Sequence, residues 1–161
     1  LPGIYDIVDL GWNYRMSEGH AAVGRVQLTK IAEFLRKRRQ NAEMLREALL
    51  DVSELYLHPF KHGKSESSWY CVNMQVTEKS LKSRDQMIQF LSAKGVGTSV
   101  HYPVPLPMSV YYAAKYPNDR DSYPEAKKIA ANTISLPCGP HINSRDVEFI
   151  VATLKAALSS K

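Results

Sequence analysis

Residues 68–76 read Ser-Trp-Tyr-Cys-Val-Asn-Met-Gln-Val, and they decide the fold class. β-Branched and aromatic residues in partial alternation favour a strand, because such side chains fit a pleated, half-buried surface. The chain before this stretch has a different period. Apolar residues recur at Ala22, Val26, Ile31, Phe34, Leu35, Ala42, Leu45 and Leu49, and no proline interrupts residues 17–57. That spacing predicts one long helix, or two consecutive ones, ending near Leu50. Ser17 is its expected N-cap, with Glu18 in the first turn. Ala21, Ala22 and Gly24 would permit close approach by another helix. Residues 58–67 read as a loop.

Helical signals resume after the strand. Ser83-Arg84-Asp85-Gln86 is a capping-box pattern, and the helix it opens runs to about Lys94, closed by Gly95. Residues 97–102 read as a second short strand. Pro103, Pro105 and Pro107 then dictate a stiff extended loop, since proline fixes φ and offers no N–H. Short helices are expected at 109–116 and 123–131, the second with Pro124 in its first turn. Thr133–Leu136 is a third strand, stopped by Pro137. Asn143 or Ser144 caps a final helix whose apolar face is Val147, Ile150, Val151, Leu154 and Leu158. Many helices and few short strands indicate an α+β fold: a long helix followed by a small, about three-stranded sheet covered by helices on one face.

With 161 residues the chain suffices for one domain. Within it, 1–16 read as an extended segment, 17–50 as the helical region and 51–161 as the small α+β part. The composition, 44% hydrophobic and 23% charged, excludes disorder for the bulk of the chain. No apolar run approaches the ~20 residues of a membrane span, and no signal sequence opens the chain. Cys71 lies in the strand and Cys138 in a Pro-Gly loop. Neither forms a CxxC pair or has zinc-ligand spacing with histidine, so no metal is expected. The reading is two neutral thiols in a reducing, cytoplasmic setting, with a disulfide as the alternative.

The formal charge of +5 owes much to Arg36-Lys37-Arg38-Arg39. Acids flank that run at Glu33, Glu43 and Glu47, and no aromatic residues interleave it as base stacking requires. A solvated helix face is the expectation, and nucleic acid is not an expected partner. A phosphorylated small ligand would suit the same charge.

Three motifs carry a resemblance. Gly11-Trp12-Asn13-Tyr14-Arg15-Met16, followed by Ala21-Ala22-Val23-Gly24 and Gln27-Leu28, resembles the G-x-N-x-R-M…A-A-x-G…Q-L pattern of the DegT-type sugar aminotransferases. Gly95-Val96-Gly97-Thr98-Ser99-Val100-His101-Tyr102-Pro103 is similar to their GI-TSVHY-P segment, and Thr133–Leu136 with Pro137 to their ILSLP strand. The likeness extends from about Tyr5 to the end, with the motifs in the family's order.

The resemblance implies the smaller, C-terminal domain of a type I pyridoxal-phosphate (PLP) enzyme, lying after the cofactor-anchoring lysine. That lysine, and with it the catalytic residue proper, would be outside this chain. Lys30, Lys37 and Lys94 fall in amphipathic helices and read as solvated. Asn13 matches the asparagine that reaches the partner subunit's cofactor phosphate. An amide donates there without a titrating charge, and the alternative is an Asn bonding its own turn. Arg15 would face the same side of an extended segment, meeting an anion bidentately or tying the segment down. His101 and Tyr102 would line the nucleotide-sugar pocket of the partner subunit, one as a donor and the other as hydroxyl and flat apolar face. A surface histidine is the simpler alternative. One departure is Pro107, where many relatives carry histidine after Pro-Leu.

The implied activity moves an amino group from glutamate to a nucleotide-linked keto-sugar, in a homodimer with shared active sites and no membrane association. A PLP-dependent sugar dehydratase, with histidine replacing the lysine, and a non-catalytic dimerisation or ligand-binding module are the alternatives.

Overall fold

The computed structural model of the chain describes residues 12, 14–116 and 122–160. Two helices come first, α1 (Glu18–Leu28) and α2 (Ile31–Ala48). The strands β1 (Leu55–Leu57), β2 (Lys61–His62), β3 (Ser65–Glu66) and β4 (Val72–Val76) follow. Then come α3 (Arg84–Ala93), a 3-10 turn (Leu106–Met108), α4 (Val110–Lys115), α5 (Pro124–Asn132), β5 (Thr133–Leu136) and α6 (Ser144–Ser159). The chain divides into two compact units, Leu1–Ala32 and Glu33–Lys161. No helix among the described residues is long and apolar enough to cross a membrane.

The helical region is two helices with a turn at Thr29 and Lys30. Lys30 therefore sits in that turn, and Lys94 at the C-cap of α3 rather than within it. Both are exposed, as is Lys37. Ser17 caps α1 as its sequence requires, its Oγ accepting from the His20 amide at 3.3 Å. The capping box of α3 forms in full, and Gly95 ends that helix at φ +83°. Asn143 caps α6, its Oδ1 accepting from the amides of Arg145 and Asp146.

Three antiparallel strands form the sheet in the order β1-β4-β5. Leu55 pairs with Val76, Leu57 with Met74, Met74 with Ile134 and Val72 with Leu136. Paired residues share a face, so one face is aliphatic. It joins a single core with Ala42, Leu45 and Leu49 of α2, Met87 and Leu91 of α3, and Val147, Ile150 and Leu154 of α6. Burying each of the larger side chains is worth about 1.5–3 kcal/mol. The opposite face carries Tyr56, Asn73, Gln75, Thr133 and Ser135. There the Ser135 hydroxyl donates to Asn73 Oδ1 at 2.7 Å.

The strand membership departs from the sequence reading. Residues 97–102 form no strand: only Ser99 bridges to Ser135, by bonds of 2.8 and 3.1 Å, on the edge of β5. Pro103, Pro105 and Pro107 have no N–H with which a ladder could resume further along. The third strand is instead β1, too short for a period to show. A polar β2–β3 hairpin lies within the expected loop. Gly63, at φ +57° in the first turn position, supplies the backbone that a type II′ turn demands.

Candidate functional site

Arg38 is the residue from which the site is built. It precedes the buried Ala42, Leu45 and Leu49 by four, seven and eleven positions, so it lies on the buried stripe of α2. Its Nη1 donates to the carbonyls of Trp69 at 3.0 Å and Tyr70 at 2.9 Å. Those carbonyls lie in the turn that delivers the chain into β4. Trp69 is 4% exposed and holds φ +50°, a left-handed conformation that costs a bulky residue about 1 kcal/mol or more. Several contacts fix it there. The Cys138 thiol donates to the Trp69 carbonyl at 3.1 Å, the Trp69 amide donates to Ser67 Oγ at 3.0 Å, and the Arg39 guanidinium lies 4.7 Å from the ring centre. The basic run is thus not uniformly a solvated face. Arg36 and Lys37 pair with Glu33 in the helix, while Arg38 and Arg39 reach across to residues 66–70.

The other wall is the segment after β5. Buried Asn41 donates through Nδ2 to the carbonyls of Gly139 at 3.0 Å and Ile142 at 3.1 Å, tying that segment to α2. Gly139 has no Cβ where one would stand 2.5 Å from the His141 ring. The ring therefore packs closely against the Gly139 backbone. Burial pushes the Cys138 thiol up from its ordinary value of 9.0, and Arg38 nearby pulls the other way. Cys138 is a buried neutral thiol, and both cysteines are free.

Between these walls, where β4 begins and β5 ends, opens a cleft of about 400 Å³. Arg38, Tyr70, Ser99, His101 and His141 line it. His101 is exposed at its rim, its ring centre 6.4 Å from that of Tyr70 and 5.8 Å, edge-on, from that of Tyr102. Tyr102 is 78% exposed and looks onto a second, more apolar groove of about 750 Å³, walled by Val104, Leu106 and Ile129. His101 thus lines both the cleft and the groove, and Tyr102 lines the groove beside it.

Two further candidates were named from the sequence. Arg15 belongs to the first unit and is exposed, and no described residue accepts a hydrogen bond from it. Asn13 lies outside the described residues. Arg38, Tyr70, Ser99 and His141 were not among the sequence candidates. For Arg38 a signal existed, a cation at a position of the apolar stripe. For His141 the proximity to His101 arises only on folding.

Comparison with known proteins places this arrangement. Residues 4–155 match the family described as DegT/DnrJ/EryC1/StrS aminotransferases. The erythromycin biosynthesis sensory transduction protein EryC1 of Saccharopolyspora erythraea is 33% identical over 146 residues, 91% of this chain and 38% of that protein. The dTDP-3-amino-3,4,6-trideoxy-alpha-D-glucose transaminase of Streptomyces venezuelae is 32% identical, over 82% of this chain and 33% of its own length. A structure of Spr1654 from Streptococcus pneumoniae in its PLP form superposes with a TM-score of 0.83 at 28% identity, over 96% of this chain and 39% of that one. The chain spans about two fifths of the length of the relatives it matches. Over that span the order of motifs, the sheet and the caps agree with one assignment: the chain belongs to the DegT/DnrJ/EryC1/StrS aminotransferase family.

Proposed function

We propose that this chain is the C-terminal part of a PLP-dependent nucleotide-sugar aminotransferase, which moves an amino group from glutamate to a nucleotide-linked keto-sugar. The observation that carries the reading is the exposed His101–Tyr102 pair, set where a cleft of mixed polarity meets a more apolar groove. A nucleotide-sugar presents the matching chemistry, since its diphosphate seeks donors and its sugar ring seeks a flat partner. The relative from S. venezuelae is named as a transaminase of such a sugar.

The residues suit the cofactor as well. Arg15 is an exposed cation with no acceptor among the described residues, fit to meet a phosphate. Asn13 would add a neutral donor. When bound, PLP supplies the electron sink that amino transfer requires. The residues of this chain bind and orient: His101 donates to the substrate, and Tyr102 screens one face of the sugar from water. The anchoring lysine belongs to the rest of the protein, so this chain alone is inactive. Two copies share active sites in a cytoplasmic homodimer.

The test is amination by the complete protein. Supplied with PLP, glutamate and a dTDP-linked keto-sugar, it should yield the amino-sugar, detected by mass spectrometry. His101→Ala should raise KM for the sugar more than it lowers kcat. A dehydrated sugar in place of the amino-sugar would assign the dehydratase reading, and turnover by this chain alone would refute the division of labour.

A further inference from the structure

At Arg38 and His141 the cleft has a charge imbalance beyond the His101 donor that the aminotransferase reading uses. Arg38, His101 and His141 line it together with the hydroxyls of Tyr70, Thr98 and Ser99, and no carboxylate is among the lining residues. Arg38 has no Asp or Glu oxygen within ion-pair distance among the described residues, unlike Arg36, Lys37 and Arg39. Its bonds to the Trp69 and Tyr70 carbonyls use one nitrogen of the fork, Nη1. A guanidinium carries five N–H donors, so the remaining edge has donors to spare. A half-buried cation in a cleft whose lining holds no carboxylate raises the local positive potential. The geometry around it is fixed from both sides: the carbonyl pair holds Arg38, and the missing Cβ at Gly139 gives the His141 ring its place.

We propose that this cleft is an anion subsite, taking a carboxylate or phosphate group of a small ligand between Arg38, His141 and the Ser99 hydroxyl. It shares His101 at its rim with the sugar-binding reading but stands independently of it. Anion capture here needs neither the cofactor nor the rest of the protein.

The experiment titrates the chain, labelled with nitrogen-15, in two arms at constant ionic strength. One arm uses sodium pyrophosphate and the other 2-oxoglutarate. Saturable shifts at the amides of 98–101 and 138–141 and at Arg38 Nε are expected in at least one arm, and the responding arm identifies phosphate or carboxylate as the favoured group. His141→Ala should weaken the affinity severalfold, and Arg38→Met by about tenfold or more, the worth of a charge-assisted bond. Arg38→Met also removes two carbonyl contacts and risks the fold. His141→Ala, on an exposed loop side chain, keeps the test decisive. Shifts that stay linear in both arms, that gather on the Arg36–Lys37 face, or that persist unchanged in His141→Ala and in a folded Arg38→Met protein would overturn the proposal.

Discussion

Helices α1 and α6 are both announced by an N-cap and an apolar period, yet they end differently. In α6 Val147, Ile150, Val151, Leu154 and Ala157 are buried. In α1 no residue is buried, and Val23, Val26 and Leu28 stand 56–66% exposed. The caps are of similar kind, a side-chain oxygen accepting from the first-turn amides. What differs is the cover. Local sequence sets where a helix starts and which stripe is apolar, whereas burial is set by what the rest of the fold brings to that stripe. The contrast continues within α2, where Ile31 and Phe34 remain exposed while Ala42 and Leu45 are fully buried. An apolar stripe is therefore a statement about helix geometry before it is one about a core.

Truncations in the two helices give the widest separation. Leu154→Ala empties a fully buried site in the core and should cost about 2–5 kcal/mol in chemical denaturation. Val26→Ala in α1 should cost less than about 0.5 kcal/mol. Equal losses would break the contrast.

Next in size is the amide that ties α2 to the segment after β5. Asn41→Leu removes the donor to Gly139 and Ile142 and leaves two carbonyls short of a partner, at a cost of about 1–3 kcal/mol. The same variant should shift the amide resonances of 138–142, because His141 loses its fixed backbone support. Cap removal sharpens the comparison further. Asn143→Ala should lower global stability by about 0.5–2 kcal/mol, since α6 carries the core. Ser17→Ala should speed hydrogen exchange in α1 and leave the denaturation midpoint unmoved, because that helix contributes no buried side chain.

The same logic sorts what the sequence disclosed. Both predicted caps, the capping box at Ser83, the turn glycine Gly95 and strands β4 and β5 follow from residues within a few positions of one another. Strand β1 did not, because three residues cannot display a period and its identity depends on pairing with Val76 and Met74, some twenty residues away. Residues 97–102 carried a strand-like composition, but composition does not reveal that the edge of β5 is left after one bridge. His101 and Tyr102 were singled out by their motif, and the structure sets them at the cleft and the groove. Arg38 was hidden inside a basic run in which Arg36 and Lys37 pair with Glu33 and Arg39 reaches Glu66 and the Trp69 ring. Only its register with Ala42, Leu45 and Leu49 distinguishes it, and register has to be counted rather than read from charge.

The smallest effect concerns the outward members of that run. Arg36 donates through Nε and Nη2 to the two carboxylate oxygens of Glu33, at 2.7 and 2.8 Å. That bond holds the Glu33 carboxyl below its ordinary 4.5, and the Arg36 guanidinium is raised in turn. A carboxyl whose folded value is depressed stabilises the helix above its unfolded value, and the contribution is lost as pH falls through the depressed value. Amide shifts of residues 31–38 should therefore be flat at neutral pH and move toward coil only below about 4.5. Molar salt should weaken them at neutral pH, since both side chains are more than half exposed. Glu33→Gln should abolish the acid transition in this stretch and leave α6 untouched. A transition that survives in Glu33→Gln would mean that the outer half of α2, like α6, is held by burial after all.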